Sequence, residues 1–262
     1  MQFLANIGNT NVNYGFYADG MLSSGYFPLQ PLSGESQTLL LLRSLLEKHG
    51  IRADEIEGAV LSSVVPEKTA MVLRAAEKLF RVKPVLLSGN TDWGFDTSAY
   101  TGTLGTDRLV CCCAALQKYK PPFIVVDFGT ATTLNVLNAA GAFVGGIILP
   151  GVRTGLRALS TETAQLPAVS FSPLRSVIGK NTTECMLAGA TFGMAAMLDG
   201  LTKQIYRELG SRGAVIATGG NAKAVLPYCD FPVSYEPDLL LEGLALQSAR
   251  PNAVIEIKER IL

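Results

Sequence analysis

The sequence predicts two tandem α/β domains, and three observations carry that expectation. At 262 residues and 27.8 kDa the chain exceeds the usual single-domain size yet is short for three. Apolar strand-like runs alternate with helix-like segments of leucine spacing. The opening pattern of strand, Asx-x-Gly turn and strand recurs half a chain later, with Asn6 aligning on Asp127 at an offset of 127 − 6 = 121 residues.

Phe3 to Phe16 reads as a β-hairpin around Gly8-Asn9-Thr10, followed by the turn signal Ala18-Asp19-Gly20. Leu39 to His49 reads as a helix ending before Gly50, Gly58 to Val65 as a strand stopped by Pro66, and Lys68 to Phe80 as a second helix. Pro84 to Leu87 is a further buried strand, and Leu109 to Leu116 a helix that Pro121-Pro122 cannot continue. The boundary is therefore placed after Lys118, giving domains 1–118 and 119–262. Beyond it, Phe123 to Val126, the turn Asp127-Phe128-Gly129-Thr130, and Thr132 to Leu137 repeat the opening hairpin. A helix from about Thr183 to Leu198 and a strand from Val215 running into Gly219-Gly220 follow.

Composition excludes several function classes. Apolar residues make up 48% and charged residues 17%, which leaves no case for disorder. Lys+Arg and Asp+Glu are equal at 22 each, which argues against a sequence-independent grip on nucleic acid or an anionic membrane and points to a small ligand. Five cysteines without a CxxC pair, and the single histidine His49, argue against a zinc site or disulfide framework. Reduced thiols imply the cytoplasm, and no signal peptide or apolar run of about 18 residues is read.

The chemistry gathers at the turns. A glycine between two strands lets backbone approach a ligand, and neighbouring N–H groups with donors from Asn9, Thr10 and Thr130 suit phosphate oxygens. Each glycine would equally serve a plain hairpin turn; two facing hairpins would clamp a nucleotide triphosphate. Asp127, at the end of a buried strand, fits a cation ligand or an Asx-turn cap. Asp107, after the Gly/Thr-rich loop Thr101 to Thr106, fits an N-cap or a group that orients a hydroxyl nucleophile, with Arg108 beside it to neutralise phosphate or carboxylate. Cys111 to Cys113 read as core packing.

Together these motifs resemble the type III pantothenate kinases, of the superfamily of actin-like, sugar-kinase and heat-shock-chaperone ATPases. The resemblance runs through I-G-N-T-N at Ile7–Asn11, S-S-V-V-P at Ser62–Pro66, G-T-D-R at Gly105–Arg108, D-F-G-T-A-T-T at Asp127–Thr133, and P-G-V at Pro150–Val152. It continues through L-P at Leu166–Pro167, I-G-K-N-T at Ile178–Thr182, T-G-G at Thr218–Gly220 and P-D-L-L-L-E-G-L at Pro237–Leu244.

The resemblance implies two duplicated ribonuclease-H-like domains with a cleft between them. It implies ATP-dependent phosphorylation of pantothenate, the first step of coenzyme A synthesis, by a homodimer using Mg²⁺ and a monovalent cation, K⁺ or NH₄⁺. By it, Asn6, Ile7, Gly8, Asn9, Thr10, Asn11, Val12, Asn13 and Thr130 hold ATP, and Asp127 holds the monovalent cation. Asp107 is the base, and Tyr100, Gly105, Thr106, Asp107, Arg108 and Thr182 contact pantothenate; the loop from Tyr100 to Gly105 is shorter than usual. The homodimer is expected on the second domain, because Met186, Leu187, Phe192, Met194 and Met197 crowd every side of one helix.

One position departs from the pattern. The family opens its first motif with aspartate where this chain has Asn6, and an amide lacks the charge that holds hydrated Mg²⁺ near phosphates. Asn6 favours an alternative, a non-catalytic nucleotide- or metabolite-binding homologue with a transcriptional-activator-like role. Intact Asp107, Arg108, Asp127 and Thr182 favour the enzyme.

Overall fold

A computed structural model of the chain describes residues 1–249 and divides them into two units. The first comprises Met1–Gly94, Gly102–Ala114 and the segment from Asp238 onward; the second comprises Phe95–Thr101 and Ala115–Pro237. This division follows packing and differs from a single cut after Lys118 in two places. A short loop from the first half joins the second unit, and a helix from the end of the second half joins the first.

In the first unit, β1 (Gln2–Ile7) and β2 (Asn11–Ala18) form the expected hairpin, closed by Gly8 N–H donating to Asn11 O at 3.0 Å. Asp19 and Gly20, at φ 50° and 80°, turn the chain into β3 (Met21–Pro28), the left-handed pair that a two-residue hairpin loop demands. Helix α1 (Glu35–His49) ends on Gly50 at φ 66°, then β4 (Gly58–Ser63), α2 (Pro66–Phe80) and β5 (Val85–Leu86) follow. Pro66 is the first residue of α2, where its missing N–H costs nothing, so it starts that helix as well as ending β4.

The sheet order is β3-β2-β1-β4-β5, with β4 parallel to β1 and β5 parallel to β4. Phe3, Ile7, Val12 and Phe16 on one face bury against Leu42, Leu45, Val72 and Phe80 of α1 and α2. Helix α3 (Thr106–Lys118) runs on from the first unit into the second.

The second unit repeats this plan. Strands β6 (Phe123–Phe128), β7 (Ala131–Leu137) and β8 (Phe143–Pro150) form an antiparallel meander. Helix α4 (Val152–Glu162) follows, and α5 (Thr182–Ala188) passes through a π turn at Gly189–Gly193 into α6 (Met194–Leu209). Strand β9 (Ala214–Thr218), α7 (Ala222–Val225) and β10 (Ser234–Tyr235) complete it. Its order, β10-β9-β6-β7-β8, matches the first sheet strand for strand and sense for sense. The two-fold duplication read from the hairpins is thus present in the whole topology.

Helix α8 (Leu239–Ser248) follows the second sheet in sequence but packs on β1, β2 and β4. Gly243 lets it lie close to α3 as well: a Cβ there would lie 2.2 Å from Val110 O of that helix. Gly145 and Gly146 lie inside β8, and Gly145 sits at φ 129° beside the register shift at Val136/Leu137.

The helical stretch Thr182–Leu209 is long and apolar enough to cross a membrane by length and composition, although Glu184 and Asp199 interrupt its apolar run. Half of its most apolar window is buried within the protein, and Asp199 within it accepts from Asp230 N and Phe231 N, as a core helix of the second unit does. Met186, Leu187 and Met194 are buried there and Phe192 packs on Tyr228 with ring centroids 4.3 Å apart. The crowding read from sequence is therefore resolved largely within the chain, leaving Met197, 45% exposed, as the outward residue of the five.

Candidate active site

Ligands of open α/β sheets gather beyond the carboxyl ends of the parallel strands, and Asn6, Ile7 and Asp127 fall at such ends. In the first, Asn6 and Ile7 end β1 in register with Ser62 and Ser63, which end β4. Val64 N–H donates to Ile7 O at 3.1 Å, and the Thr106 hydroxyl reaches Ser63 O at 3.5 Å. The first hairpin, the end of β4 and the start of α3 thus converge on one corner.

Gly105 makes that corner possible, because a Cβ on it would lie 2.6 Å from Asp107 Oδ1. Asp107 sits in the first turn of α3, where its carboxylate accepts from Arg108 N–H at 2.9 Å. Burial pushes its carboxyl above the ordinary carboxylate value, opposed by that N–H bond and by the charge of Arg108. Arg108 is itself buried. Asn9 and Thr10 are exposed on the turn. Ile7 and Val12 point into the core, so only their main chain is open to a ligand.

The second unit repeats the geometry. Asp127 is next to last on β6, paired with Thr133 of β7 and Thr218 of β9, as Asn6 is paired with Asn13 and Ser62. Gly129 N–H donates to Ala131 O at 3.1 Å, matching the Gly8 bond. Gly219, at φ 92°, lies so close that a Cβ would be 2.4 Å from Asp127 Oδ1 and 2.7 Å from Phe128 N.

The support of this hairpin comes from Gly151 of the P-G-V motif and from residues that sequence reading did not single out. Asn221 donates its N–H to Phe128 O at 3.0 Å and its Nδ2 to Gly129 O at 3.1 Å, and Arg153 Nε donates to Asn221 Oδ1 at 3.2 Å. Thr154 donates to Thr130 O at 2.7 Å, and Gly151 N–H to the same oxygen at 3.0 Å. Their signal lay beside the motifs P-G-V and T-G-G, at the next residues along.

Tyr100 and Thr182 stand apart from that hairpin. The Tyr100 ring packs edge-on against Phe143 at 5.8 Å, at the start of β8, whereas the hairpin pairs with its end through Ala131 and Pro150. Thr182 is exposed in the first turn of α5, which Asn181 caps by accepting from Glu184 N–H at 3.0 Å.

Among the described residues no group of three or more His, Cys, Asp or Glu side chains could hold a metal ion. Position 6 offers an amide whose oxygen already accepts from Ser62 Oγ at 2.6 Å. These residues do not fit a divalent ion held by the protein itself. Asp127 offers a single carboxylate, against which the backbone of Gly219 lies closely.

The family model described as type III pantothenate kinase matches residues 3–204. The chain belongs to the type III pantothenate kinases. A type III pantothenate kinase of Roseiflexus sp. is 36% identical over 94% of this chain and 97% of its own length. One from Bacillus cytotoxicus is 33% identical over 98% of each chain. A solved structure, a putative 2-dehydro-3-deoxygalactonokinase from Sinorhizobium meliloti, superposes with a TM-score of 0.60 at 11% identity over 98% of both chains, a likeness of fold. These matches place the chain among kinases and do not favour the non-catalytic alternative.

Proposed function

We propose that the chain transfers the terminal phosphoryl group of ATP to the hydroxyl of pantothenate, giving 4′-phosphopantothenate for coenzyme A synthesis. The observation that carries this reading is the desolvated Asp107 at the start of α3, set against the end of β4 and next to the first glycine hairpin. Asp107 orients the attacking hydroxyl and accepts its proton, and the upward push of burial makes it a stronger base. Asn9, Thr10 and the backbone of Asn6–Asn13, with Thr130, bind the phosphates. Asp127 holds K⁺ or NH₄⁺, and Gly105, Thr106, Arg108, Tyr100 and Thr182 bind pantothenate. A divalent ion arriving with the nucleotide would neutralise phosphate charge.

The reading extends to a cytoplasmic homodimer that binds neither nucleic acid nor membrane. Five cysteines without a disulfide support the cytoplasm, exposed Met197 the dimer, and balanced charge the lack of a nucleic-acid or membrane partner. Sedimentation as a monomer at micromolar concentration would count against the dimer.

The test is ADP release on addition of pantothenate, followed in K⁺ and then in Na⁺. Pantothenate-dependent turnover that is faster in K⁺ is expected. ATP binding without pantothenate-dependent ADP release would sink the assignment.

A further inference from the structure

Asn6 is buried between Asn13 of β2 and Ser62 of β4. Ser62, fully buried, donates its hydroxyl to Asn6 Oδ1 at 2.6 Å. That bond decides which way the amide faces. With its oxygen held toward β4, its nitrogen turns to the hairpin, 3.9 Å from where a Cβ on Gly8 would stand. Among the described residues that nitrogen has no acceptor. The N–H of Gly8 is already committed to Asn11 O, so the amide adds a donor at a turn whose own first N–H is occupied.

We propose that Asn6 is a direct donor to a phosphate oxygen, aimed by Ser62 as a positioning residue, and that this chain grips the triphosphate with no divalent ion anchored at position 6. The inference rests on the reading that the ligand is ATP. A neutral N–H donor meets an anionic oxygen favourably without a counter-ion, whereas a carboxylate at the same place repels phosphate until a cation stands between them. The nucleotide then brings its own divalent ion, and the protein's hold on the phosphates is separated from its hold on the metal.

Titration calorimetry with ATP, in excess Mg²⁺ and then in EDTA, tests this without measuring turnover. The native chain should bind ATP with affinities that differ by less than about threefold between the two conditions. Asn6→Asp should lose at least about tenfold in EDTA and recover in Mg²⁺. Ser62→Ala, which frees the amide to rotate, should lose about three- to tenfold in EDTA, and Ser62→Thr, which keeps the hydroxyl, should stay near native. Circular dichroism on each variant checks that the fold is kept. Native binding that needs Mg²⁺, or metal-free binding unchanged in Asn6→Asp, overturns the inference while leaving the kinase reading intact. No ATP binding under either condition overturns both.

Discussion

Asn6 and Asp127 hold the same place in two copies of one sheet, next to last on the central strand and flanked by a polar residue of the hairpin partner and a hydroxyl of the parallel neighbour. Asn6 is buried, and its oxygen is held by the Ser62 hydroxyl. Asp127 is half-buried and lies against a glycine whose φ of 92° few other residues adopt. The difference shows how a duplicated scaffold diverges: the backbone fixes where a polar group stands, and the local donors and acceptors fix what charge it can carry there. A buried carboxylate needs compensation, while an amide needs one donor and one acceptor.

The helices that follow the two sheets extend the contrast. Both open on aspartate, Asp107 in the first turn of α3 and Asp238 just before α8, but Asp238 accepts from the exposed Ser24 hydroxyl at 3.0 Å and Asp107 is desolvated. The largest expected effect lies here. Asp107→Asn should lower kcat by about 10²- to 10⁴-fold, the range for a general base, while ATP binding persists. Because burial raises its folded pKa, Asp107 adds stability when protonated, and that contribution is lost as pH rises through the folded value. The Asn variant should therefore gain in melting temperature on the native chain as pH rises, with any gain shrinking toward acid. A marked loss of melting temperature across that range would make Asp107 a structural residue of the helix start.

A smaller effect probes why the second hairpin admits a carboxylate. Gly219→Ala puts a Cβ 2.4 Å from Asp127 Oδ1 at a left-handed φ, so unfolding in denaturant should register a loss of roughly 1–3 kcal/mol. A neutral result would mean that Asp127 moves freely away and is not held by its surroundings. The smallest expected effect comes from making the two copies alike. Asp127→Asn should abolish the preference for K⁺ over Na⁺ and slow turnover by on the order of tenfold, the weight of one charge-assisted contact. A surviving K⁺ preference would place the cation elsewhere.

The hairpins, α1, α2 and the repeat were legible because their signals are local: glycine turns, leucine spacing and proline stops. Strand β3 was not, since Met21, Ser23, Ser24 and Tyr26 form a mostly exposed edge without apolar alternation. Strands β5 and β10 are only two residues long, and the second left no signal. At the site, the turn glycines and Asp107 were readable from residue type. The Ser62 bond to Asn6 and the Asn221 brace under Gly129 were not, because parallel register and long separations in sequence, 56 and 92 residues, have no periodic trace. The boundary after Lys118 missed α8 for the same reason: its apolar composition says that it is buried but not under which sheet.

That helix has a consequence for the order in which the protein is made. The first sheet leaves the ribosome early, yet β1 and β4 keep one face uncovered until Leu239–Ser248 has been synthesised. The second sheet, translated later, needs no strand or helix from beyond Pro237. Synthesis from the amino end therefore completes the two copies in the reverse of their order along the message, and the unit that holds Asp107 is the last to mature.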